Sequence, residues 1–137
     1  MKLTPEELEE LKALEAEEKQ RLEEEKAASL RQHLEALRTS KRLSSKFGKP
    51  GHDFVVLETK VGNIVVRKPK DVDLDALTED APEGDRAQLE TLAVNVVVEP
   101  DEITLRKLMA ENPGLAPAIT TAAVKLAKVT LEEEAKK

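Results

Sequence analysis

Cysteine, tryptophan and tyrosine are absent from the 137 residues, and the only aromatic side chains are Phe47 and Phe54. Without cysteine there is no disulfide framework and no cysteine-based metal site. With two rings in the whole chain, any core must be assembled from Val, Leu, Ile and Ala, which bury less area per side chain than aromatics. The globular part is therefore expected to be marginally stable alone and helped by a partner or a second copy. A long apolar run is also missing. The start, Met1-Lys2-Leu3-Thr4-Pro5-Glu6-Glu7, lacks the apolar core of a signal peptide. No stretch approaches the roughly 20 apolar residues that span a bilayer. The expectation is a soluble cytoplasmic protein with no membrane partner.

What is present in quantity is charge, and it is segmented. Residues 1–38 carry 11 acidic and 7 basic side chains, a net of -4. Residues 41–70 carry 8 basic ones (Lys41, Arg42, Lys46, Lys49, Lys60, Arg67, Lys68, Lys70) against Asp53 and Glu58, a net of +6. Residues 71–137 return to -8, so the chain reads acidic, basic, acidic.

The first acidic block predicts a helix. Thr4 can cap the free N–H groups, Pro5 suits the first helical position, and Glu7 lies three residues after the cap. No Gly or Pro follows until Gly48, and good helix formers fill the interval. The helix is expected over about 5–38, roughly 50 Å long. Leu8, Leu11 and Leu22 fit heptad seam positions, but Glu15, Glu18 and Glu25 occupy the seam between and after them. A sustained coiled-coil seam is absent. The pattern fits a solvated charged arm, or a partner-binding or self-associating helix whose apolar end is Leu30, Leu34 and Leu37.

A linker is expected at 39–52. The β-branched runs Phe54-Val55-Val56-Leu57 and Ile64-Val65-Val66 flank Gly62-Asn63 and predict a hairpin over 54–67 with those two residues in its loop. Beyond it, an acidic connection with a helical turn near 74–77 leads to helices at about 85–98, 102–111 and 117–129. Leu89, Leu92, Ala93, Val96 and Val97 mark the first by helical spacing, although its valine-rich end has strand propensity. Asp101 caps the second, Asn112-Pro113-Gly114 ends it, and Ile119, Ala122, Ala123 and Leu126 mark the third. The fold class is mainly α with a small β-hairpin: charged helix 1–38, linker 39–52, and an α+β module 53–137.

Constellations of chemistry are sparse. Asp71-Val72-Asp73-Leu74-Asp75 begins like a calcium loop, but its sixth position is Ala76 and its twelfth Pro82, so the turn and the bidentate carboxylate are missing. Gly48-Lys49-Pro50-Gly51 matches the loop string of RNA-binding KH modules, yet a strand follows it, so it reads as a turn before the hairpin. The basic segment is suited to phosphate or to the chain's own acidic flanks, and those flanks repel a nucleic acid. His33 and His52 have no second ligand at metal spacing. Glutamates on an exposed helix lack the pocket that tunes an acid–base pair. Neither an enzyme nor a cofactor is expected.

One stretch carries a resemblance. Leu92-Ala93-Val94-Asn95-Val96-Val97-Val98-Glu99-Pro100-Asp101, then Leu105-Arg106-Lys107-Leu108-Met109-Ala110-Glu111-Asn112-Pro113-Gly114-Leu115 and an Ala-rich helix, resembles the C-terminal part of tail assembly chaperones of long-tailed bacteriophages. The resemblance spans residues 85–128 and rests on helix punctuation. It implies a small α-rich chaperone that keeps an aggregation-prone, helical tape measure protein in solution during tail assembly. The client would meet Leu105, Leu108, Met109, Ile119, Ala123 and Leu126, which helical spacing also assigns to a core. The N-terminal helix and the basic hairpin lie outside the resemblance. They suit an alternative, a structural or adaptor protein of a phage tail, secretion or contractile injection apparatus, bundling through the helix, with a homo-oligomer as one form.

Overall fold

Helix α1, Pro5–Phe47, starts at the predicted capping box. The Glu7 N–H donates to Thr4 Oγ1 and the Thr4 N–H donates to Glu7 Oε1, both at 3.2 Å. Two orphan donors of the first turn are thereby satisfied. The computed structural model describes residues 2–73 and 86–135, with side chains in the last helix as far as Val129. The chain divides into two compact units, residues 1–35 and 36–137.

The first unit is the solvated part of α1. Leu8, Leu11, Leu14 and Leu22 are all more than 40% exposed. Arg21 bridges Glu18 at 3.8 Å and Glu25 at 3.1 Å along the helix surface. Pairs this exposed contribute well under 1 kcal/mol each, about 0.3–0.5 for i,i+4 spacing.

The second unit is a three-stranded antiparallel sheet covered on both faces. It holds the rest of α1, β1 (Phe54–Thr59), β2 (Gly62–Arg67), α2 (Arg86–Val96), β3 (Val97–Glu99), α3 (Glu102–Glu111) and α4 (Leu115–Ala135). The strand order is β1-β2-β3, with Val55 opposite Val66, Val56 opposite Val65 and Leu57 opposite Ile64. The period-2 alternation of strands assigns the faces. Phe54, Val56, Val65 and Val98 point to one side, where Leu43 and Phe47 of α1 close a small cluster. Val55, Leu57, Ile64, Val66 and Val97 point to the other, against Leu92, Ala93 and Val96 of α2, Leu105 and Met109 of α3, and Ile119, Ala123 and Leu126 of α4. The sole aromatic pair, Phe47 and Phe54, sits in the first cluster with ring centroids 6.1 Å apart.

Several expected boundaries are corrected. Helix α1 continues through the expected linker to Phe47, because Leu43 and Phe47 dock on the sheet. Ser44 and Ser45 donate back to the carbonyls of Lys41 and Arg42, so their polar groups are met within the helix. The hairpin loop is Lys60-Val61, and Gly62-Asn63 belongs to β2, paired with Thr59 and Glu58. Gly62 takes the positive φ of 120° that the tight turn requires. Helix α2 stops at Val96, and its valine-rich tail peels off as β3, a strand beyond the expected hairpin, with a register shift opposite Val65 and Val66. Helix α4 runs from Leu115 to Ala135, longer than 117–129 at both ends. The helical turn expected at 74–77 and the rest of the calcium-like string lie outside the described residues.

Candidate protein-binding groove

Helix α4 covers the sheet incompletely. Between its flank and β1 runs a groove of about 560 Å³, lined by Gly51, Val55, Leu57, Ala118, Thr121, Ala122, Lys125, Leu126 and Val129. The floor is the α4-facing side of β1, where Val55 and Leu57 stay half-buried although they are attached to the core. The wall is a helical stripe of small residues, Ala118, Thr121 and Ala122, continued by Lys125 and Val129 at the spacing of successive turns. The Thr121 hydroxyl donates to the Pro117 carbonyl at 2.9 Å, so its proton is engaged within the helix. Small side chains let another backbone approach closely, as helix pairs at interaxial distances of about 8 Å do. A second hollow, lined by Thr59, Lys60, Val61, residues 112–115 and Ala118, adjoins the groove at Ala118 and extends it around the hairpin tip.

The groove lies at a sheet edge. Among the described residues β1 has a strand neighbour only on its β2 side, apart from a single bridge between Phe54 and Pro50. The ladder fixes which main-chain groups face outward. The Lys68 N–H donates to the Asp53 carbonyl at 2.8 Å, which puts residues 53, 55, 57 and 59 in the phase bonded to β2. Residues 54, 56 and 58 therefore turn their N–H and C=O groups outward. The Phe54 carbonyl is met there by the Gly51 N–H at 2.7 Å, so the loop before β1 covers the first third of the edge.

That loop is braced by Asp53. Its carboxylate accepts from the Lys49 N–H at 2.7 Å and contacts His52 Nδ1 at 3.0 Å. The main-chain hydrogen bond from Lys49, then the His52 contact, hold the Asp53 carboxyl below its ordinary range. At the start of α3, Asp101 accepts from the Thr104 hydroxyl at 2.6 Å and from its N–H at 3.4 Å, which lowers the Asp101 carboxyl likewise. Both are bracing contacts of turn and cap. The basic segment is partly consumed inside the fold. Arg42 pairs with Glu99 at 2.8 Å, and Arg67 donates to the Asn95 carbonyl at 2.5 Å and reaches Asp73 at 3.4 Å. Among the described residues there is no cluster of three or more potential metal ligands and no helix long and apolar enough to cross a membrane.

The partner-facing residues expected from the sequence divide into three groups. Leu105, Met109, Ile119, Ala123 and Leu126 are buried core side chains, and of these only Leu126 also reaches the groove. Leu108 is half-buried against the core. Leu30, Leu34 and Leu37 are 61%, 46% and 55% exposed. The spacing identified an apolar face on α3 and α4 correctly, but the protein itself covers most of it. The apolar lining of the groove comes instead from Val55, Leu57, Ala118 and Val129, and the signal for them was weak. Residues 55–57 and 118–129 are brought together only by the tertiary fold. No protein-family model, curated protein sequence or solved structure matches this chain.

Proposed function

We propose that this protein is a non-enzymatic, protein-binding chaperone or adaptor whose groove takes an apolar helical segment of a client. The observation that carries the reading is the half-covered floor of Val55 and Leu57 beside the small-residue stripe of α4. A client helix lying alongside α4 would cover both valine and leucine and meet Ala118 and Ala122 at close range. Charged side chains elsewhere would keep such a complex dispersed, since net charge opposes association. The resemblance over 85–128 makes the tape measure protein of a phage tail the client of choice, and its length and apolar helices are the properties that need a holdase.

The test is suppression of aggregation. A tape measure fragment diluted from denaturant should scatter less light with stoichiometric amounts of this protein, and Ala122→Glu should abolish the effect. Methyl resonances of Val55, Leu57 and Val129 should shift together on adding an amphipathic helical peptide. Undiminished scattering, or shifts confined to α1, would sink the groove reading.

A second reading is favoured by the exposed Leu8, Leu11, Leu14 and Leu22 of α1, a stripe that could bundle with helices of a larger assembly. Under that reading Leu11→Lys with Leu22→Lys abolishes incorporation into the assembly, and Ala122→Glu leaves it intact.

A further inference from the structure

The leucines that α1 leaves exposed have an order that heptad spacing hides. Leu11 and Leu22 are 11 residues apart, and Leu8 and Leu30 are 22 apart. Residues spaced by 11 return to nearly the same face of a helix, because three turns take about 11 residues. Leu8, Leu11, Leu22 and Leu30 therefore form one stripe, and each is more than 40% exposed. Around Leu22 this face is a shallow hollow lined by Glu15, Glu18, Lys19, Leu22, Glu23 and Lys26. We propose that it pairs with the same face of a second copy of the chain, antiparallel about a two-fold axis at Leu22. The inference gives a definite occupant to the stripe that the bundling reading leaves open, and it is independent of the groove beside α4.

Charge selects both the occupant and its direction. Along the hollow the signs alternate through Glu15, Lys19, Glu23 and Lys26. A parallel pair in register would set each of these against its own counterpart, like against like. The antiparallel pair reverses the order of one copy, so that opposite signs meet. With the axis at Leu22, Glu18 of one copy is level with the partner's Lys26. Lys19 lies about 3 Å along the axis from the partner's Glu23, and Lys26 about 4.5 Å from the partner's Glu15, two and three residues at about 1.5 Å each.

The match continues on either side of the hollow. Residues 10–18 carry Glu10, Glu15, Glu17 and Glu18 against Lys12, a net of -3. They meet the partner's residues 26–34, where Lys26 and Arg31 give +2. Charges beside a helix seam set partner choice and orientation in this way. The leucines agree with the same register. Leu22 meets its own counterpart, and Leu8 and Leu11 come level with the partner's Leu34 to within about 3 Å. Glu15 and Glu18, which break the heptad seam, become the residues that specify the pairing.

Area sets the strength. Residues 10–34 of a helix span about 36 Å, and a contact about 10 Å wide along that length buries on the order of 700 Å² over the two copies. Specific stable interfaces begin near roughly 1,200 Å². The dimer is therefore weak and concentration-dependent, and salt weakens it further because its charges stay at the solvent-exposed rim.

The test uses the full-length protein. Sedimentation equilibrium from about 1 μM to about 1 mM, a range suited to so small an interface, should show a monomer–dimer equilibrium. Lys19→Glu with Lys26→Glu, or Glu15→Lys with Glu23→Lys, turns four attractions into four repulsions. Each double substitution should raise the dissociation constant about 10–100-fold, at the size of exposed ion pairs. An equimolar mixture of the two variants should dimerise again, a recovery that a damaged helix would not give. The absence of cysteine makes the direction testable. Leu22→Cys should form a disulfide-linked dimer under mild oxidation, because residues facing each other across packed helices bring their Cα atoms to about 5 Å. Leu34→Cys should not, since its two copies lie about 36 Å apart along the axis. Ala122→Glu, which closes the groove to a client, should leave the dimer intact, so the two readings fail separately. A monomer at every concentration, a dimer indifferent to both charge reversals, or cross-linking as ready at position 34 as at position 22 overturns the proposal.

Discussion

Leu43→Ala is the sharpest test of how α1 is divided between solvent and core. Leu43 is 6% exposed and packs with Phe54 and Val65, flanked by Phe47, Val56 and Val98. Truncation of a buried leucine costs about 2–5 kcal/mol, depending on how far the surroundings collapse. Among the described residues this cluster has three buried members, Leu43, Phe54 and Val65. It can relax more than the main core, which places the expected cost at about 2–3 kcal/mol. For a unit of about 100 residues that corresponds to a fall in Tm of roughly 10–20 °C. Leu34→Ala, on the same helix at a 46% exposed position, should change stability by less than about 0.5 kcal/mol. The assay must see the sheet and not merely helix content, because the first unit of α1 contributes to circular dichroism whatever the core does. With Trp and Tyr absent, the δ-methyl groups of the three isoleucines serve: Ile64 and Ile119 are buried and Ile103 is 82% exposed. Urea titration read at Ile64 should show the midpoint displaced by Leu43→Ala and unmoved by Leu34→Ala. Equal effects from the two substitutions, or a cost below about 1 kcal/mol for Leu43→Ala, would refute the docking of α1 on the sheet.

Three further outcomes are expected. Gly48 has a φ of 111°, and a Cβ there would strike the Asp53 carboxylate, whereas Gly51 has a φ of 80° and open space around it. Gly48→Ala should therefore cost more than Gly51→Ala, whose penalty is the left-handed conformation alone, about 1–2 kcal/mol; equal costs in urea denaturation would count against the loop geometry. The lowered Asp53 carboxyl binds its proton less readily in the folded state than in the unfolded chain, so its contribution is complete above the ordinary value of 3.8 and is lost as pH falls through the depressed one. Asp53→Asn should flatten the acid limb of a stability–pH curve and lower the plateau at neutral pH; an unchanged acid limb would contradict the assignment. Arg67 is about three-quarters buried and joins the end of β2 to the Asn95 carbonyl and to Asp73, whose carboxylate also accepts from the Lys70 N–H at 2.9 Å. Arg67→Met should cost about 2–3 kcal/mol through the lost charged hydrogen bonds, against under 1 kcal/mol for breaking the exposed Arg42–Glu99 pair, and thermal melts of the two variants decide the order.

Where local chemistry decides the conformation, the sequence was sufficient. Thr4 and Glu7 form their reciprocal cap, Asp101 caps α3, and Asn112 to Gly114 separate α3 from α4, because each of these depends on residues within a turn of one another. The errors occur where distant contacts decide. Nothing between 39 and 47 distinguishes a serine-containing linker from a helix until Leu43 and Phe47 find Phe54 and Val65 on the sheet. The valines at 96–98 suit either state, and pairing of Val97 and Glu99 with β2 breaks the tie at Val96. The hairpin misled by its glycine: Gly62-Asn63 looks like the loop, but the tight turn needs its positive φ at Gly62, one step into the strand.

The groove exposes a deeper asymmetry in what periodicity can tell. A helical stripe such as Leu105, Met109 or Ile119, Ala123, Leu126 says that a face is covered, and remains silent on whether the cover belongs to the same chain. Here the chain supplies the cover itself, and those residues are core. The surface left for others is defined by a deficit: Val55 and Leu57 carry the apolar character of a buried strand, yet α4 shields them only in part. Four consecutive apolar residues on β1 predict burial on both faces. One face is closed by α1 and the other is half closed, and beyond the loop that meets Phe54 the outer edge has no neighbouring strand among the described residues. A strand whose composition demands more cover than its own chain provides is the physical reason to look for a client at β1, and it places that client beside α4.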